Sequence, residues 1–313
     1  MMKKNKLSPF LYILPAGIIL VLFRLIPIIL SFIVSFFKWT VHGPGEFIGF
    51  DNYIHLLKDS EFWQSITNTF YLVIFVVPIT LIFSLFFAYL LNQKIKFSGF
   101  FRTTYFIPTV TSLVAISIVW KLIFATQNGL MNYFLGLFGV EKLGWLSESR
   151  GIFTLVFNSM GIEIPHFLGG PSLALFAIII VCIWRSLGYN TIIYLAGLQN
   201  IPEVYYEAAS VDGANSFTKF WKITVPMISP TSFYVLIMTT IVTFQVFSQV
   251  YLMTGPPVGG PLGTTKVIVY YIFEKGFGEA QNLSYASSIA LVLFVIILSL
   301  TLLQKQLEKK VNY

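Results

Sequence analysis

The chain has 313 residues, 56% of them apolar and only 11% charged, with a mean hydropathy of +0.80. One soluble core could not hide so much apolar surface, so the composition excludes a water-soluble globule and leaves a polytopic membrane protein. The net charge of +7 does not mark a nucleic-acid binder, because its distribution follows the membrane, and a single cysteine, Cys182, excludes an intrachain disulfide.

Six apolar stretches, residues 10–37, 69–91, 105–124, 172–195, 230–253 and 284–303, are long enough to cross a bilayer and predict an all-α fold of six transmembrane helices. The first is too long for a signal peptide and lacks a small-residue cleavage site, so it is expected to remain as a helix. Arg24 near its middle reads as a packing or headgroup-snorkelling residue ahead of a substrate contact. An outer segment, 38–68, follows and carries Gly43-Pro44-Gly45 and Phe47-Ile48-Gly49-Phe50-Asp51-Asn52-Tyr53. The next loop, 92–104, is basic, and Pro108 shapes the start of the third stretch. Residues 126–171 form the largest outer loop; its apolar runs 129–140 and 152–162 are too short to span and read as surface or interfacial elements. After the fifth stretch, residues 254–261, rich in Gly and Pro, must turn outside the membrane, and 267–277 is expected at the outer interface.

Charge orients this series. With the N-terminus inside, the inner segments hold eleven basic residues (Lys3, Lys4, Lys6, Lys94, Lys96, Arg102, Lys219, Lys222, Lys305, Lys309, Lys310) against four acids (Glu203, Glu207, Asp212, Glu308). The outer segments hold seven basic residues against nine acids. The excess of Lys and Arg belongs on the cytoplasmic side, so both termini are expected in the cytoplasm of a cell membrane.

A soluble-looking segment interrupts the apolar series between the fourth and fifth stretches: Glu207-Ala208-Ala209-Ser210-Val211-Asp212-Gly213-Ala214, then Phe217, Phe220, Ile223 and Pro226. Pro202 opens a helix, Glu203 and Glu207 sit toward its positive end, Ala208 and Ala209 keep one side thin, and Gly213 permits a turn into a second short helix. Taken alone it would serve as an amphipathic connector. Its pattern resembles the EAA loop of permease subunits of ATP-binding-cassette (ABC) importers. The resemblance implies that Glu207, Ala208, Ala209, Asp212, Gly213, Ala214, Phe217 and Pro226 dock into a cytoplasmic ATPase and transmit its motion.

Spans two to six resemble the type I permease core of those importers over about three quarters of the chain. The stretch Phe47–Tyr53, with Pro27, Ser31-Phe32 and Trp39, is similar to the first permease of maltose-type carbohydrate-uptake systems; so are residues 128–133 and Trp145-Leu146-Ser147. On this pattern residues 1–67 are an N-terminal helix with its outer segment. Residues 68–304 are the five-span core, with the coupling loop at about 200–228, and 305–313 are a cytoplasmic tail. The chain departs from the commoner pattern after Ser147, where about twenty residues near 150–170 are inserted. Surface elaboration accounts for them, and contact with a partner is the sharper alternative.

None of the thirteen acids lies in a predicted span, and His42, His55 and His166 fall in outer loops. An ion-coupled carrier needs intramembrane ion ligands, and an intramembrane hydrolase needs a nucleophile with a base or metal; neither set is visible. No catalytic residue, metal site or Walker-type glycine loop is expected in this chain. The spans do carry hydrogen-bonding groups beside aromatics, as sugar binding demands. Arg185, Ser186, Tyr189 and Asn190 lie on the fourth span; Thr239, Thr243 and Gln245 lie on the fifth, beside Phe244 and Phe247. Bonds between helices would account for any single one of them.

The resemblance adds Cys182 and Val246 to that region. It implies one of two different permeases of a sugar importer, paired with a second permease, two cytoplasmic ATPases that hold ATP and magnesium, and an external solute-binding protein. A glycerol-phosphate or polyol substrate stays open through Arg185 as an anion partner, and an ion-coupled secondary carrier is the remaining alternative.

Overall fold

The computed structural model describes residues 8–40, 43, 45–93, 98–165, 168–255, 258–279 and 281–311. Lys3, Lys4, Lys6, Lys94, Lys96, His42, Pro44, His166, Pro256 and Pro257, used above, lie outside them. Among the described residues the regular structure is helical, with isolated β-bridges and no strand, and it divides into two units.

The first unit comprises residues 1–59 and 271–295. Helix α1 (Ser8–Leu20) runs through a π-turn, Val21–Leu25, into α2 (Ile26–Val34). No side chain from Tyr12 to Val34 is buried, which leaves an apolar surface for lipid or another subunit. Beyond it, α3 (Asp51–Lys58) is tied back to the end of this span. Asn52 Nδ2 donates to the Ser35 carbonyl at 2.8 Å, and the Tyr53 hydroxyl lies 2.7 Å from Ser35 Oγ. The Asn-Tyr pair of the outer motif is therefore a structural clasp. Asp59 accepts hydrogen bonds from the Tyr271 and Tyr285 hydroxyls, closing the same unit.

The second unit comprises residues 60–270 and 296–313. Its helices are α4 (Ser60–Asn92), α5 (Ser98–Val110), α6 (Leu113–Ile123), α7 (Leu130–Gly136), α8 (Ile152–Ser159) and α9 (Leu173–Gln199). Then come α10 (Glu203–Val211), α11 (Ser216–Lys219), α12 (Val225–Met227), α13 (Ser229–Phe244) and α14 (Ser248–Met253). The unit boundary divides α15 (Ile268–Phe277) and α16 (Leu283–Val311). Helices α4 and α9 form the central pair, with α5 and α13 packed on them. Leu72, Val76, Leu175 and Ile178 fill one region of that packing, and Ala88, Leu91, Tyr194 and Leu198 another. Ser172 caps α9 by accepting from Leu175 N at 3.0 Å.

Lipid tails are as apolar as these side chains, so the helices are held by close packing rather than by burial from water. Gly188 on α9 makes the closest crossing possible: a Cβ there would lie 1.9 Å from the Tyr105 carbonyl oxygen of α5.

Several predicted spans take a different form. The second begins at Ser60, not 69, since Glu61 suits the positive end of a helix and Phe62, Ser65, Ile66 and Asn68 are buried. The third is broken: its halves meet at 99°, because Ser112 adopts an extended ψ of 127° and Pro108 removes a donor near the end of α5. The fifth also breaks, after Phe244, where Phe247 at φ −137° and ψ −57° leaves the helical path and α14 starts afresh. Residues 267–277, expected at an interface, bury Val267, Ile268, Tyr270 and Tyr271 within the chain. The short apolar runs form α7 and α8.

Candidate functional site

On α9, Arg185, Ser186, Tyr189 and Asn190 follow the helical period and share a face. Helix α13 brings Met238, Thr239 and Val242 opposite them, and the close crossing at Gly188 brings Thr109 of α5. Together they enclose a cavity of about 200 Å³. Asn190 Nδ2 donates to Thr239 Oγ1 at 3.2 Å, a buried bond that sets the spacing of the two helices. Two polar atoms of this lining, Arg185 Nε and Thr109 Oγ1, are buried without a hydrogen-bond partner. Among the described residues no acceptor reaches that guanidinium N–H, so its hydrogen bond is met from within the cavity, by water or by a cargo that accepts from it.

Five of the residues expected here from sequence are thus together: Arg185, Ser186, Tyr189, Asn190 and Thr239. Thr243 and Gln245 are not. Thr243 is buried one turn further on and spends its hydroxyl on the Thr239 carbonyl at 2.7 Å. Gln245 caps the end of α13, where the helix breaks, and is exposed. Cys182 and Val246 belong to the apolar core cluster. Thr109 was missed because it follows Pro108 in a span read as continuous; the small Gly188 facing it was the available signal.

The loop between spans is the second feature. Pro202 precedes α10, Glu203 stands in its first turn, and the helix ends at Gly213 with φ +77°. Ala214 N donates to the Ala209 carbonyl at 2.9 Å and Gly213 N to the Ser210 carbonyl at 3.1 Å, the Schellman arrangement that a left-handed residue allows. Asn215 then caps α11 by accepting from Thr218 N at 2.8 Å. Lys219 Nζ to Ser210 Oγ, at 2.6 Å, and the Tyr206 and Thr224 hydroxyls, 2.9 Å apart, fasten the two short helices into one knob. Glu207, Ala208, Asp212, Gly213, Phe217 and Pro226 are exposed on it; Ala209 and Ala214 are half-buried. Val211 is 90% exposed, Phe217 72% and Trp221 54%, an apolar tip on a polar loop that fits a docking surface.

An all-helical membrane chain with a polar cavity among its helices and a rigid, apolar-tipped loop between two spans is a transport subunit in class. The chain belongs to the family described as binding-protein-dependent transport system inner membrane component, which matches residues 57–313. Members of this family are permeases of ABC transporters and are not themselves enzymes. The chain is 33% identical to the probable ABC transporter permease protein YurN of Bacillus subtilis, over 99% of this chain and 98% of that one. It is 35% identical to the lactose transport system permease protein LacF of Rhizobium radiobacter, over 94% and 92% respectively. Its fold matches a crystal structure of a bacterial ABC transporter involved in the import of the acidic polysaccharide alginate. The TM-score is 0.77 at 22% identity, covering 99% of this chain and 98% of that one.

Proposed function

We propose that this chain is one of two different permease subunits of an ATP-driven importer for a sugar or oligosaccharide delivered by an external solute-binding protein. The cavity carries the substrate reading. A hydroxyl-rich cargo leaving water must find replacement partners, each unmade bond costing about 1–3 kcal/mol, and three helices supply hydroxyls, an amide and an unpartnered guanidinium N–H here. The relative named for lactose transport supports a carbohydrate. A second permease and two cytoplasmic ATPases holding ATP and magnesium complete the machine. The loop with Glu207, Gly213 and Phe217 passes ATPase closure to the helices, which expose the cavity alternately outward and inward.

Both termini lie in the cytoplasm on this reading, in accord with the charge split. In a Cys182→Ser background, a single cysteine at the exposed Ser147 should label with an impermeant reagent in intact cells. One at the exposed Ser216 should label only after permeabilisation. Labelling of the Ser216 position in intact cells reverses the topology.

The unpartnered Arg185 Nε also favours a second reading, a phosphate-bearing polyol as cargo. Both are tested with the assembled transporter in proteoliposomes. Tyr189→Phe, Thr239→Val and Arg185→Gln should each lower sugar uptake by about tenfold, one hydrogen bond's worth, while ATPase stimulation by loaded binding protein persists in part. Loss of glycerol-phosphate uptake in Arg185→Gln, with sugars never imported, selects the second reading. Wild-type uptake in all three variants moves the substrate out of this cavity, and ion-driven uptake by the chain alone removes the importer reading.

A further inference from the structure

A second and larger polar cavity, about 590 Å³, lies elsewhere in the same unit and is not used by the transport cycle as described. Thr67, Asn68 and Tyr71 of α4 form one wall, and Ser149, Arg150 and Thr154, at the start of the inserted segment, form the other.

Both walls are held by specific bonds. The insertion is anchored at its base, where Ile152 N donates to the Pro171 carbonyl at 2.9 Å and Phe153 N to the Gly169 carbonyl at 3.0 Å. Its Phe153 ring sits 6.3 Å from that of Phe75 on α4. At the rim, Leu262 adopts φ +54°, a conformation that branched residues avoid. It persists because Gln64 Nε2 donates to its carbonyl at 2.9 Å, while Asn68 Nδ2 donates to the carbonyls of Gly263 (3.1 Å) and Lys266 (2.9 Å). A gap left by loose loops would not need this scaffolding.

The chemistry of the lining narrows the occupant. Arg150 is neutralised in place: its Nη2 donates to Glu148 Oε2 at 2.7 Å, and its backbone N donates to Glu148 Oε1 at 2.9 Å. The side-chain hydrogen bond holds the Glu148 carboxyl below its ordinary pKa and raises that of Arg150, so both groups stay charged near neutral pH. An anion entering here meets the Glu148 carboxylate beside the single guanidinium, with no net positive charge from the pair. The rest of the lining offers the hydroxyls of Thr67, Tyr71, Ser149, Thr154, Ser172 and Thr264 and the amide oxygens of Gln64 and Asn68 beside a tyrosine ring, a set matched to an uncharged polyhydroxylated ligand. Ser172, the cap of α9, also borders this cavity, and Arg185 stands thirteen residues further along the same helix, about 20 Å at the helical rise.

We propose that this cavity is an outer subsite for neutral oligosaccharides: it holds the trailing sugar units while the leading end reaches the cavity at Arg185. The proposal rests on the sugar reading and topology above and deepens them, because it makes the cargo a chain of sugars and gives the insertion its purpose.

The test uses the complete transporter with its binding protein in proteoliposomes. The probes are size-fractionated malto-, arabino- and galacto-oligosaccharides of about two to six units, with the matching monosaccharides; hydrogen bonds lost at the far units set the expected effect. Thr154→Trp, which fills the cavity from the exterior helix α8, should lower uptake of the longest accepted members about tenfold and leave disaccharide uptake within about twofold. The double variant Ser149→Ala/Thr154→Val removes two hydroxyls without bulk and should give the same length dependence in a weaker form; it carries the test if the tryptophan variant assembles poorly. Unchanged uptake at every length overturns the proposal. So does an equal loss at all lengths together with lost stimulation by the binding protein, which would mean that the cavity receives a protein loop. Wild-type transporter confined to monosaccharides overturns it too. Wild-type transporter that imports no sugar at all overturns the sugar reading itself, and the two failures are thereby distinguished.

Discussion

Gly188→Val is expected to reduce the chain recovered in the membrane and to abolish transport by what remains. The added Cβ would lie 1.9 Å from the Tyr105 carbonyl oxygen and 3.2 Å from Thr109 Oγ1, and the first of these is backbone that cannot rotate away. Overpacking of this kind costs about 1–3 kcal/mol even where side chains can yield, and more is expected here. Helix α5 must move off α9, taking Thr109 out of the cavity that it lines. Gly188→Ala meets the same clash, so it should lower the melting temperature of the purified complex and uptake together. Wild-type melting and uptake in Gly188→Ala would show that the two helices do not cross this closely.

Gly213→Val should behave in the opposite way, folding and assembling normally yet losing uptake. Nothing lies within 4 Å of a Cβ at Gly213, so the only penalty is φ +77°, worth about 1–3 kcal/mol for a β-branched residue. That penalty is met locally by unwinding the turn between α10 and α11, which would swing Phe217 and the rest of the tip away from the geometry that Lys219 and Ser210 hold. Uptake should fall by tenfold to about a hundredfold. Gly213→Asn, which tolerates the left-handed region better, should retain much of it. Glu207→Ala, at an exposed position, should lose uptake without loss of stability, through a missing charged contact to the ATPase. The readouts are initial uptake rate and the amount of ATPase that co-purifies. Full uptake in both Gly213→Val and Glu207→Ala would leave the loop a passive connector.

The loop was legible because every feature that shapes it is local. Pro202, Gly213 and Asn215 act on their own turns, and none needs a distant residue to do so. The α9 face was legible for a similar reason: four polar residues at helical spacing in an apolar span point one way whatever surrounds them. The α13 contribution was only half legible. Thr239 sits within the regular helix, whereas Gln245 was placed by extrapolating that helix past Phe244, where the backbone departs from it.

Length and hydropathy determined that the chain spans a membrane about six times, and Lys and Arg bias determined its expected orientation, since both are sums over a segment and need no knowledge of neighbours. The tertiary structure alone decided where the third and fifth spans break, that Thr109 joins Arg185 across Gly188, that Asn52 and Tyr53 clasp Ser35, and that the insertion walls a second cavity. The reason is physical. In lipid both the packed and the free face of a helix are apolar, so hydrophobic periodicity, which tells inside from outside in a soluble protein, does not report which face meets another helix. Close approach of backbones decides it, and that depends on residues far apart in the chain, such as Gly188 and Tyr105.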